Sequence, residues 1–147
     1  MYKEISVVPA LTLAAYVAKD CVGALLTFAV AGNTNSIALK RLTVIDADVE
    51  DAAFNLHLFS ASPAAAARTD ADPYAPVAAD LAIKLTTLEI AVADYVDSAS
   101  DSIAIYELDH ALVLTDNTNF YGVLECIATP TYTAADDLTV KFVVELR

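Results

Sequence analysis

The residue pattern predicts an all-β chain folded as an antiparallel β-sandwich of about eight strands, with a barrel as the alternative closure. Three observations predict it. Apolar and polar residues alternate with strand period in a series of short segments, and side chains on a strand alternate between faces. Clusters of turn-favouring residues separate those segments. There is no repeat period, no coiled-coil heptad and no strand–helix alternation, so a parallel α/β sheet is not expected.

Taken in order, residues 1–18 read as an N-terminal arm or one or two edge strands, and 19–147 as a single sandwich domain. Pro9 has no amide hydrogen to donate and suits an edge. In 21–30, Val22, Ala24, Leu26, Phe28 and Val30 share one parity. Gly32-Asn33-Thr34-Asn35 is a turn cluster. In 36–45 the apolar parity shifts from Ile37 and Leu39 to Leu42 and Val44, with Lys40-Arg41 between them. One extra residue resets alternation in this way, which predicts a β-bulge. The acidic stretch 46–51 follows. Phe54, Leu56 and Leu58 then alternate with Asn55, His57 and Phe59, and the short connection predicts a hairpin between 37–45 and 54–59.

Residues 60–84 carry Pro63, Pro73 and Pro76 among small and acidic residues and read as a long surface excursion. Single helical turns are expected at 64–68 and 77–84, each too short to persist without packing. Long loops in compact domains often bind partners. Strand pattern resumes at Leu88, Ile90 and Val92. Residues 95–101 read as a polar break, Ile103 and Ile105 as strand, Asp109-His110 as a turn, and Leu112 and Leu114 as strand again. Asp116-Asn117-Thr118 leads into the last two strands, 119–128 and 138–146, which read as a closing hairpin. Leu138, Val140, Phe142, Val144 and Leu146 form one core face. Residues 119–128 are apolar on both faces, which predicts a central strand covered on both sides or a strand with one face given to a partner.

The 147 residues suffice for one domain with a sizeable core. The chain is 57% hydrophobic and only 19% charged, so it buries much of itself internally or against other subunits. Its net charge is −12. Eight scattered basic residues cannot neutralise a run of phosphates, which argues against nucleic acid and against an anionic membrane surface. The apolar run 5–18 is too short to span a bilayer. Glu4, Pro9, Leu13 and Tyr16 speak against a signal peptide.

No residue set points to catalysis, and no enzymatic activity, cofactor or metal is expected. The three glycines, Gly23, Gly32 and Gly122, are far apart and form no phosphate loop. His57 and His110 have no metal-ligand spacing; zinc would need further ligands beside them. Asp46, Asp48, Glu50 and Asp51 lack the glycine and terminal glutamate of a calcium loop and read, like Asp70 and Asp72, as solvated. Ser60, Ser62, Ser98, Ser100 and Ser102 lie in no nucleophile elbow. Carboxylate pairs for glycoside hydrolysis depend on spatial separation, but most of the acids lie in loops. Cys21 and Cys126 read as buried thiols, a disulfide between them requiring neighbouring strands. Tyr106, Tyr121 and Tyr132 suit either a ligand or subunit surface or the edge of the core.

Four stretches carry a family resemblance. They are Tyr16-Val17-Ala18-Lys19-Asp20-Cys21-Val22-Gly23, Leu56-His57-Leu58-Phe59 with Pro63, Tyr121-Gly122-Val123-Leu124, and Thr129-Pro130-Thr131-Tyr132 followed by Asp137-Leu138-Thr139-Val140. In order and spacing they resemble the capsid decoration proteins of tailed phages, also called cement or auxiliary head proteins. Where Lys19 stands, that pattern usually has glycine. The resemblance implies a jelly-roll-like sandwich on the outer surface of the virion capsid. It implies the major capsid protein as partner, a homo-oligomer, commonly a trimer, and no catalytic residues. The arm and the 60–84 excursion are the expected capsid contacts. The other function consistent with such a fold is a carbohydrate- or host-surface-binding module of a head fibre or tail, using Tyr74, Tyr95 and the Asp-rich loops.

Overall fold

The computed structural model describes residues 1–32, 34–115 and 118–147. Asn33, Asp116 and Asn117, parts of two expected turns, lie outside the described residues. Among the described residues, nine strands form two antiparallel sheets: β1 (Tyr2–Val7), β2 (Cys21–Ala29), β3 (Ser36–Asp46), β4 (Phe54–Phe59), β5 (Lys84–Ile90), β6 (Tyr95–Asp97), β7 (Ser102–Val113), β8 (Asn119–Cys126) and β9 (Leu138–Leu146). The five-stranded sheet has the order β1-β9-β3-β7-β6 and the four-stranded sheet β2-β8-β4-β5. The all-β sandwich read from the sequence is therefore the fold.

The pairing is nested. β1 pairs with β9, β2 with β8, β3 with β7 and β4 with β5, while β9 also pairs with β3 and β8 with β4. Most consecutive strands consequently lie in different sheets. This corrects two expectations. Segments 37–45 and 54–59 are not a hairpin, because β3 and β4 belong to opposite sheets. Nor are 119–128 and 138–146 a hairpin: β8 and β9 face each other through the core. Their connections, 47–53 and 127–137, exceed the two to five residues of a tight hairpin turn and cross from sheet to sheet.

Apolar side chains of the two inner faces make the core. Phe28 of β2 stacks on Phe120 of β8 at 4.7 Å between ring centres, and Phe142 of β9 meets both edge-on at 5.1 and 5.5 Å. Such offset and T-shaped contacts are the favoured aromatic geometries. Gly122 lies in this layer because there is no room for more: a Cβ there would sit 2.9 Å from Phe28 and 3.2 Å from Leu56.

The bulge expected at Lys40 is present. The register of β3 slips between Leu39 and Arg41 against both neighbours. A second irregularity, between Val22 and Leu26 of β2, turns Ala24 out to solvent against the expected parity. Gly23 at its centre has φ +72° and lies against Pro9. The expected turn at Asp109-His110 is also corrected. β7 runs through both as one 12-residue strand, exposed enough there to carry turn-type side chains. Within the expected polar break, Tyr95–Asp97 is a strand with Tyr95 buried, which helps raise the count to nine.

Candidate functional site

The excursion 60–84 is the roof of the four-stranded sheet rather than a free loop. It holds a 3-10 turn, Ala65–Ala67, and one short helix, α1 (Ala78–Ala82), close to the expected turns. Asp80 is buried and holds α1 in place: its carboxylate accepts from the backbone N–H of Ala64 at 2.7 Å and of Val77 at 2.9 Å. Asp70, expected to be solvated, accepts from the Tyr16 hydroxyl at 2.8 Å and from Gly23 N–H at 2.7 Å. It thereby ties the excursion to the arm and to β2. The outward-facing Cys21, Phe59 and Val123 are buried beneath it with Tyr74 and Ile83. β8 is thus central and covered on both faces, with the cover supplied by the chain itself.

His57 lies under this roof, 5% exposed. Its Nε2 is 3.0 Å from Glu125 Oε1 and its Nδ1 3.1 Å from Thr87 Oγ1. A carboxylate only accepts, so Nε2 carries the hydrogen and Nδ1 accepts from Thr87. Asn55 Nδ2 donates to the same Glu125 oxygen at 3.2 Å. Burial, more than anything else, pushes the His57 pKa down; Lys84 adds to this and Glu125 opposes it. Burial likewise pushes the Cys21 thiol up to about 12, helped by Glu125. Cys21 is therefore a poor thiolate nucleophile, and the bonds of His57, Asn55, Thr87 and Glu125 tie β4, β5 and β8 together.

The remaining candidates are dispersed. His110 is on β7, in the other sheet from His57. Cys21 and Cys126 are both free. They point to opposite faces of the four-stranded sheet: Cys21 lies beside Glu125 on the outside, while Cys126 belongs to the core. Asp46, read as solvated, is fully buried and accepts from the N–H groups of Asp48 and Asp51. Asp48 in turn accepts from Thr133, pinning the acidic loop to the 127–137 crossover. Among the described residues no group of three or more His, Cys, Asp or Glu is arranged to hold a metal ion. Tyr132 is buried against Tyr16. Tyr95 is buried and donates to Ala52 O, and the ring of Tyr74 is committed to His57.

Exposed apolar residues gather on two surfaces, with Val77, Leu81 and Val92 exposed elsewhere. One is the arm. Ile5, Leu11 and Tyr16 enter the core, but Val8, Leu13 and Val17 face solvent at 52–65% exposure, and Ile127 lies close by. The Cys126 thiol donates to Val17 O at 2.9 Å, which holds the two segments together. Ile127 also edges a groove of about 300 Å³ floored by Phe54 and Ile90, with Asn55 and Glu89 on its walls. The other surface is the outer face of the five-stranded sheet. Its outward side chains in sequence were mostly polar or single apolar residues, so only the strand order makes a patch of them.

No protein-family model, curated protein or solved structure matches this chain.

Proposed function

We propose that the protein is a structural virion component that binds the outer surface of an assembled phage capsid and cements neighbouring capsid subunits. The observation that carries the reading is the meeting of the four stretches that resemble decoration proteins. Leu56–Phe59 pairs residue by residue with Tyr121–Leu124. Tyr16 bonds to Pro130 O through its backbone N–H and meets Tyr132 edge-on at 6.4 Å. Val22 of the first stretch pairs with Leu124 of the third. The meeting of segments scattered over the chain supports the reading. Lys19, standing where the pattern has glycine, has φ 78°, a backbone that glycine takes freely.

Two further features support the reading. The nested strand pairing, like that of one long hairpin rolled up, supports a jelly-roll-like sandwich. The acidic surface suits the outside of a shell better than an interior facing DNA. A protein that binds only the assembled shell stabilises it by mass action.

The solvent-facing arm residues are the contact that this reading assigns. Ile5 and Leu11 are core residues, so removing 1–12 would damage the sandwich itself. The sharper test is Leu13→Asp with Val17→Asp, assayed by co-sedimentation with assembled capsids. Loss of sedimentation with an unchanged melting temperature is expected. Undiminished sedimentation would exclude the arm as the contact.

A further inference from the structure

We infer that the outer face of the five-stranded sheet is where a second copy of this chain docks. Strand register sets out this face in rows. Val96, Ile103, Ile45 and Thr139 form one end, and Ile105, Thr43, Lys141 and Ser6 the next row. Glu107, Arg41, Val143 and Glu4 follow, and Ala111, Ala38, Glu145 and Tyr2 lie beyond them. Val96 and Val113 are each 70% exposed, Tyr2 66% and Ile105 54%. The excursion that roofs the other sheet does not reach this one.

Charge identifies the occupant. The face carries Lys40, Arg41, Lys141 and Arg147, joined in ion pairs to Asp109, Glu107, Glu4 and Glu145. Four cations and four anions cancel. Of the 8 basic and 20 acidic residues, 4 and 16 lie elsewhere, so the whole net charge of −12 resides off this face. Over the rest of the molecule, which carries the whole excess of acids, two copies meet more like charge than they do here. Here they meet across a neutral surface of interspersed signs, which can complement itself about a two-fold axis.

The dimensions also fit. The five strands, of 3 to 12 residues at about 3.3 Å per residue and about 4.8 Å apart, give a face of roughly 650 Å². A stable interface takes about 800 Å² from each partner. Stacked sheets would bury the Val96–Ile103–Ile45 row at the seam.

The inference concerns the free protein and stands or falls independently of capsid binding. Sedimentation equilibrium of the purified chain, at concentrations up to about 100 μM, is expected to show self-association that tightens as added salt screens the acidic surfaces. Val96→Asp with Ile105→Lys is expected to give a folded monomer, as judged by circular dichroism and melting. Should that variant misfold, Val96→Ser with Ile105→Thr is expected to weaken association at least ten-fold. A wild-type chain monomeric throughout overturns the inference. So does a folded variant of either pair that associates as tightly as wild type.

Discussion

The ring of Tyr74 lies flat on the imidazole of His57, with ring centres 4.1 Å apart and planes 8° from parallel. Seventeen residues separate them in sequence, and the stack is where the excursion fastens to the sheet. Tyr74→Ala removes it and uncovers Val123 and Phe59. We expect a loss of about 2 kcal/mol. Limited proteolysis should then cut within 60–84 before the rest of the chain, whereas an unchanged cleavage pattern would show that the Asp70 bonds suffice to hold the roof.

His57 makes the fold sensitive to mild acid. Its pKa is lowered in the folded chain, chiefly by burial, from an ordinary value of about 6.5. The folded state therefore takes up this proton less readily than the unfolded chain. Stability from this group is complete above about pH 6.5 and declines as pH falls through the folded pKa. A proton on Nδ1 would also reverse the bond from Thr87. Thermal melts at stepped pH should show a steeper decline from about pH 7 to 5.5 for wild type than for His57→Gln. Parallel curves would remove His57 as the cause.

Val123 is fully buried on the outer side of β8. A charge there has neither water nor a partner, so Val123→Glu should cost about 4 kcal/mol or more and leave little folded protein. A folded but dissociated monomer would instead place Val123 at a seam between subunits. Gly122→Ala probes the opposite face. Its methyl group would overlap the Phe28 ring, with an expected cost of about 1–3 kcal/mol, read from the denaturation midpoint.

Lys19 is held at φ 78° by hydrogen bonds from its N–H to Cys126 O and from Tyr74 N–H to its own carbonyl. A side chain in this conformation costs about 1 kcal/mol that glycine avoids. Lys19→Gly should raise the melting temperature by about 1–4 °C. A lower one would mean that the lysine side chain contributes more than the backbone loses.

Local features of the fold were legible in the sequence. The Lys40 bulge showed as a phase change because alternation has no other simple way to reset. β9 showed because one of its faces is core and the other is water. The division into sheets was not legible. Turn residues report that the chain reverses, but not whether it returns beside the same strand or crosses the core, so β3–β4 and β8–β9 both read as hairpins. Asp109-His110 read as a turn because edge exposure and turns favour the same side chains.

The surfaces were harder still. Asp46 and Asp70 look like solvated acids, but Asp46 folds back on the N–H groups of Asp48 and Asp51 in its own loop, and Asp70 takes partners, Tyr16 and Gly23, that distant segments bring to it. The neutral face of the five-stranded sheet exists only because β1, β9, β3 and β7 lie side by side. By contrast, the apolar arm and the covered state of β8 followed from residue type alone: apolar side chains on both faces of a strand require two covers.

Quantitative mass spectrometry of purified phage particles containing this chain tests the cementing role most directly. A protein that decorates a symmetric shell repeats with its subunits, so copies on the order of hundreds per particle are expected. About a dozen copies or fewer, the stoichiometry of a neck or fibre, would contradict it.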